Sequence, residues 1–266
     1  MSQPWIFLCP STRGISQALL NHLLLTTHPS IPILCTHRPN YQPPSLPPNP
    51  EGRKIHTLPL DVTLPSTISH AAKQTSVLFP PETHHLHLSF TLPGILLNPE
   101  RSTAQIDHST AVQTFQVNTL GPLLLIKHFA RFLPSSSSCL NNKTQDQQGL
   151  PKHPIWTFAS ARVGSTSDNN LGGWYSYRAS KAALNSIIKT FDIELSRSKD
   201  AMAVGYHPGT VKTDLSKDFW FVSKDKEREN MFSPEDAAKK LVDVVFNLKL
   251  EQRGKVWDWK GEEVFP

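Results

Sequence analysis

Cysteine is scarce: three residues in 266, Cys9, Cys35 and Cys139, with neither a pairing pattern nor metal-ligand spacing. That excludes a disulfide-stapled scaffold and a thiolate metal centre, and a reducing, cytoplasmic setting is the expected compartment. No run of about 18 apolar residues occurs, so no membrane-spanning helix is expected. The opening stretch, Met1 to Cys9, lacks the basic head and longer apolar segment of a secretory signal. Charge of one sign is not dense either. Lys+Arg number 27 and Asp+Glu 22, a formal net charge of +5, but no basic tract stands out and nucleic acid is not an expected partner. Internal repeats and an interdomain linker are also missing.

Proline is abundant, 23 residues, and concentrated. One proline-dense stretch falls within residues 40–53, and a Ser-, Asn- and Gln-rich stretch within 134–154; both read as insertions. Between them, short apolar strands alternate with helical runs. Strands are expected at 4–9, 31–36, 54–60, 86–91, 155–160, 202–207 and 255–259. Helices are expected at 15–26, 65–79, 107–133 (crossed by Asn118 and by Gly121-Pro122), 175–198 and 234–248. Ser233 is a good cap for the last helix and Pro234 suits its first position. This alternation implies one α/β domain over residues 1–266 with a mostly parallel sheet.

The stretch with the most chemistry is Trp174-Tyr-Ser-Tyr-Arg-Ala-Ser-Lys181. Tyr177 and Lys181, four residues apart, share a helix face. A cation beside a phenol lowers its pKa from about 10 and makes it a general acid/base for a substrate oxygen. Other unusual residues fall at strand ends, where a doubly wound sheet binds ligands. These are Cys9 to Ser16, His37-Arg38, Asp61-Val62, Gly94, Ser160 to Gly164, and His207 to Asp214.

Gly172 to Asn185, Val117-Asn118-Thr119-Leu120-Gly121-Pro122 and His207-Pro208-Gly209-Thr210-Val211-Lys212-Thr213-Asp214 together resemble the short-chain dehydrogenase/reductase family, above all C-factor-type carbonyl reductases. The resemblance covers essentially the whole chain and implies a single-domain Rossmann-type fold. It implies that Tyr177 exchanges a proton with the substrate, that Lys181 lowers the Tyr177 pKa and bonds the nicotinamide ribose, and that Asn118 holds a relay water. It implies contacts to the cofactor from Ser11, Thr12, Arg13, Gly14 and Ile15 in the first turn, from Asp61 and Val62 at the adenine, from Gly94, and from Pro208, Gly209, Val211 and Thr213 at the nicotinamide. Seen alone, Asn118 reads equally well as an ordinary helix residue, and Asp61 better as a strand-end cap. NADP(H) is the expected cofactor, because strand two ends in His37 and Arg38 with no acid until Glu51, and Arg13 is a second cation for a 2′-phosphate.

The chain departs from the family pattern in three places. The glycine-rich turn keeps only Gly14, with Pro10 and Ser16 where the family has smaller or freer residues. Thr91-Leu92-Pro93-Gly94 replaces Asn-Asn-Ala-Gly. Ala161 stands where the family has the serine that polarises the carbonyl. Ser160, one residue early, is the candidate substitute and Ser165 a second; loss of such a donor typically costs on the order of a hundredfold in rate. Residues 214–233, with Phe219, Trp220 and Phe221, are a candidate substrate lid. The sequence is therefore read as an NADP(H)-dependent oxidoreductase for a small-molecule carbonyl/alcohol pair, with no metal and with pairing of two copies through the helices around 107–133 and 175–198. A non-catalytic dinucleotide-binding sensor or a non-redox proton-transfer enzyme on the same fold are the alternatives.

Overall fold

A computed structural model describes residues 2–40, 52–135, 149–217 and 231–266. Most of both insertions and the aromatic triplet of the candidate lid lie outside the described residues. The central sheet has eight strands: β1 (Gln3–Cys9), β2 (Ile33–His37), β3 (Ile55–Pro59), β4 (His84–Thr91), β5 (Ile155–Ala159), β6 (Met202–His207), β9 (Val256–Asp258) and β10 (Glu263–Val264). Their order across the sheet is β10-β9-β6-β5-β4-β1-β2-β3. All pairings are parallel except β9 with β10. Two further strands, β7 (Thr210–Val211) and β8 (Met231–Phe232), form a separate parallel ladder. The expected doubly wound α/β sheet is present; β10 and the short β7/β8 pair were not foreseen, each being only two residues long.

Strand alternation explains the two-sided core. In β1, Trp5, Phe7 and Cys9 face one layer, while Ile6 and Leu8 face the other. The first layer takes α2 (Pro65–Leu78), α4 (Gly121–Phe129) and α5 (Tyr175–Ser198) through Ile68, Ala71, Leu125, Phe129, Leu184 and Ile188. Stacked rings fill it, Trp5 on Phe79 at 4.6 Å and Phe7 on Phe129 at 4.5 Å. The second layer takes α1 (Gly14–Thr26) and α6 (Pro234–Phe246) through Leu19, Leu23, Leu241 and Val245. As expected, the Ser233 hydroxyl accepts from Asp236 N at 3.0 Å to cap α6. The end of α1 is held from outside: Arg53, buried, donates to Leu23 O at 3.1 Å, to Thr27 Oγ1 at 2.9 Å and to Thr27 O. α3 (His108–Phe115) runs into α4 through a π-helical turn, Gln116–Leu120. The single helix expected over 107–133 thus carries one wide turn, at Asn118; such turns often sit at functional sites.

β4 also carries a buried polar chain. Pro151 O can only accept, so His87 Nε2–H donates to it at 2.8 Å. His87 Nδ1 must then accept from His85 Nε2–H at 3.2 Å, and His85 Nδ1 from the Ser2 hydroxyl at 3.0 Å. Both rings are neutral, and burial holds their pKa values down, to about 4 for His85 and about 3 for His87. An unfolded histidine titrates near 6.5, so the unfolded chain binds more protons below that pH and stability falls with it. The contribution is complete above about pH 6.5 and drains as pH drops towards 4 and then 3, a tenfold difference in proton affinity being worth ~1.4 kcal/mol. Urea midpoints should therefore fall between about pH 7.5 and about pH 5, and His87→Gln should flatten the slope; equal midpoints at the two pH values contradict the assignment.

Candidate active site

The sheet order reverses between β1 and β4, whose carboxyl ends lie side by side with Cys9 opposite Thr91. A cleft of about 570 Å³ opens there. Of the residues singled out in the sequence, Thr12, Arg13, Gly14, Ile15, Arg38, Val62, Gly94, Pro208 and Thr213 line it. Gly14 has φ +55°, and a Cβ there would lie 3.2 Å from Thr213 Cγ2, so the first turn closes against the segment after β7. Gly121 plays a similar part behind the cleft: a Cβ would come 2.8 Å from Val62 Cβ. α1 starts from Arg13 without a side-chain cap and with no acid in its first turn, and its leading N–H groups open on the cleft. The Cys9–Pro10 peptide is cis.

Tyr177 and Lys181, both on α5, do not line this cleft; Lys181 comes up to its wall at Gly94. A Cβ added to Gly94 would lie 3.7 Å from Lys181 Nζ and 4.0 Å from Asn118 Oδ1, so this wall residue packs beside both groups. Lys181 is 2% exposed and Tyr177 8%. The Lys181 ammonium donates to Ala159 O at 2.7 Å and stands 5.8 Å from the centre of the Tyr177 ring. The expected fall in the Tyr177 pKa is not what the structure gives. Burial pushes the phenol up to about 12 and Lys181 down to about 8, because desolvation penalises both charged forms. A buried phenol of this kind is a proton donor at neutral pH.

The π-helical turn aims Asn118, fully buried, at the same place. Its Oδ1 accepts from Ile95 N at 2.8 Å, and its Nδ2 donates to Ile95 O at 3.0 Å and Ser180 Oγ at 3.1 Å. Ser180 Oγ in turn donates to Tyr177 O at 2.8 Å, and Thr119 Oγ1 donates to Ser180 O at 2.9 Å. Asn118 is thereby wired to the backbone of Tyr177. Trp174, in the left-handed region at φ 52°, sets its ring edge-on to Tyr177 at 6.1 Å.

Other sequence candidates lie elsewhere. Ser160 donates its hydroxyl to Asn185 Oδ1 on α5, and Ser165 accepts from Asp168 N at 3.0 Å, so both hydroxyls already have partners. The Asp61 carboxylate turns back on Thr63, accepting from its N at 2.8 Å and Oγ1 at 2.7 Å, the strand-end cap. Ser11 bonds Thr36 O at 3.1 Å. Val211 is buried, with its carbonyl accepting from Ser216, and Gly209 packs its backbone against Trp259 and Phe232. The sequence reading missed Ile95, Leu96 and Leu97 in the apolar wall of the cleft, and gave no role to Lys212, which also lines it. It also missed Glu100, a buried carboxylate bonded to the start of α5. No side-chain pattern marks that loop; only its contact with α5 does.

The switch-point cleft, the parallel sheet and the two helical layers define a Rossmann-type doubly wound α/β protein. No family model matches the chain. Three relatives and one structure speak to its kinship. It is 33% identical over 167 residues to 1-hydroxy-2-glutathionyl-2-methyl-3-butene dehydrogenase of Rhodococcus sp. (strain AD45), covering 62% of each chain; the match thus spans less than two thirds of that relative. It is 28% identical over 159 residues to C-signal of Myxococcus xanthus (60% of this chain, 80% of that one) and 24% identical over 270 residues to short chain dehydrogenase gsfK of Penicillium aethiopicum (97% and 98%). NADPH-bound carbonyl reductase from chicken fatty liver shares the fold over 100% of both chains, with a TM-score of 0.78 and 24% identity. In sequence the chain is thus similar to proteins named as dehydrogenases, and in fold to a carbonyl reductase.

Proposed function

We propose that this chain is an NADP(H)-dependent oxidoreductase that interconverts a carbonyl and an alcohol, with Tyr177 as general acid/base. One observation carries the reading: a buried phenol and a buried amine, Tyr177 and Lys181, stand four residues apart on α5, with Lys181 against Gly94 in the wall of a cleft that Arg13 and Arg38 also line. Neither guanidinium makes a side-chain hydrogen bond or ion pair among the described residues. The uncapped start of α1 suits a pyrophosphate and the two guanidinium groups suit a 2′-phosphate, so the residues fit a phosphorylated dinucleotide. NADP(H), when bound, supplies or accepts the hydride. Tyr177 gives its proton to the oxygen of the carbonyl as the alcohol forms, and takes it back in the reverse direction. Lys181, while charged, favours the phenolate that Tyr177 leaves behind. Asn118 keeps Ile95 and Ser180, and through Ser180 the Tyr177 backbone, in place.

In this reading Ser160 anchors α5 through Asn185, and no serine polarises the carbonyl from position 161. Turnover is therefore slow on unactivated ketones, and an electron-poor dicarbonyl such as a quinone is the suitable first substrate. That same gap is what favours the sensor alternative, which retains dinucleotide binding without turnover. The decisive experiment is the pH dependence of NADPH oxidation by phenanthrenequinone. Tyr177 stays protonated over the accessible range, whereas Lys181 loses its charge as pH rises through about 8. The rate should be level near pH 7 and fall above about pH 8. Binding of NADPH without any oxidation selects the sensor.

A further inference from the structure

We propose that Glu100 is the positioning residue for Tyr177: from the loop after β4 it clamps the first turn of α5 and so fixes the phenol beside Lys181. The proposal rests on the redox reading above. Glu100 is 2% exposed. Its backbone carbonyl accepts from Trp174 N at 2.5 Å. Its carboxylate accepts from Ser176 N at 3.3 Å (Oε1) and 3.4 Å (Oε2), and from the Ser176 hydroxyl in a short bond. Trp174, the residue in the cap position, is left-handed and offers no side-chain cap, so Glu100 caps α5 from another part of the chain. A Cβ at Gly173 would lie 3.0 Å from Glu100 O, and the glycine lets the two backbones meet.

A buried carboxylate is costly unless it is compensated. Among the described residues no lysine, arginine or histidine pairs with Glu100. Its compensation comes from the N–H and O–H of Ser176 and from the positive end of a 24-residue helix. Those bonds end one residue before Tyr177. The other end of the same loop is held by the site too, since Ile95 is clasped by Asn118 on both its N–H and its carbonyl. Asn118 reaches Ser180, and Ser180 reaches the Tyr177 carbonyl. The loop from Ile95 to Glu100 therefore closes a ring of contacts around the Tyr177 backbone, with Asn118 on one side and Glu100 on the other. A reacting group displaced by about 1 Å can cost on the order of a hundredfold in rate, while the cofactor cradle at α1 stands on other elements.

The test compares wild type, Glu100→Ala, Glu100→Gln and Ser176→Ala as purified full-length chains. NADPH affinity is read by fluorescence, and kcat with NADPH and phenanthrenequinone. Glu100→Ala should lower kcat about tenfold or more with NADPH affinity within about twofold. Glu100→Gln keeps an oxygen for Ser176 and should recover to within about threefold of wild type. Ser176→Ala should fall between them, and it carries the test if Glu100→Ala does not fold. A role in stability alone would lower the melting temperature of Glu100→Ala and leave its kcat unchanged, and that result overturns the proposal. Equal losses in Glu100→Ala and Glu100→Gln overturn it as well. A wild type that binds NADPH but never oxidises it removes the redox reading, and the proposal with it, an outcome distinct from an active wild type with an indifferent Glu100→Ala.

Discussion

Replacing Tyr177 by Phe is expected to lower kcat/KM for NADPH-dependent quinone reduction by about a thousandfold, within the range for loss of a general acid. The change removes one oxygen from a side chain that is 8% exposed and otherwise packs against Trp174, so the fold has little to lose. Among the described residues no hydrogen bond to the phenol oxygen holds α5 in place; the backbone of Tyr177 is held by Ser180 and that of Ser176 by Glu100. NADPH affinity should therefore stay within about twofold. Lys181 does not replace the lost donor, because its ammonium already donates to Ala159 O. Steady-state rates with NADPH binding measured in parallel check this. A variant that keeps more than about a tenth of the activity places the proton source elsewhere.

The second large effect concerns the choice between NADPH and NADH. Arg13 and Arg38 are exposed, line the same cleft from the ends of β1 and β2, and are unpaired among the described residues. Each bond from a guanidinium to a 2′-phosphate is worth about tenfold in affinity after allowance for exposure. Arg13→Ala/Arg38→Ala should weaken NADPH by roughly a hundredfold and leave NADH nearly unchanged, erasing the preference. Titration of both cofactors into the double variant checks it. Equal weakening of NADPH and NADH would mean that the arginines serve the pyrophosphate instead.

Much of the framework was legible because strands and helices here obey simple rules. β1 reads as an apolar run because both its faces are buried, and α6 starts at Ser233-Pro234 because that pair satisfies the first turn. The Tyr177–Lys181 pair was visible from spacing on α5. Its electrostatics were not, because a sequence does not show burial. Lys181 at 2% exposure spends its ammonium on Ala159 O, and desolvation outweighs the attraction assumed from adjacency. Asn118 looked like one residue in a regular helix, and only the π-helical turn explains how it reaches Ile95 and Ser180 together. Glu100 was invisible because its partner is 76 residues away and its own loop has no periodic pattern. Asp61 shows the converse: residue type and place matched a family role, while its neighbour Thr63 holds the carboxylate; Ser160, one residue short of the family position, is held by Asn185 on α5.

The most direct test of the central claim, a phosphorylated dinucleotide beside Tyr177 and Lys181, is a thermal-shift titration of the wild-type chain with NADPH and, separately, with NADH. A ligand at about 100 times its Kd adds about 2.7 kcal/mol of stability, a readily visible rise in Tm. The account predicts a clear rise with NADPH and a much smaller one with NADH at equal concentration. No rise with either cofactor at millimolar concentration would contradict it, and would mean that Pro10 and Ser16 close the turn at the head of α1 to any dinucleotide.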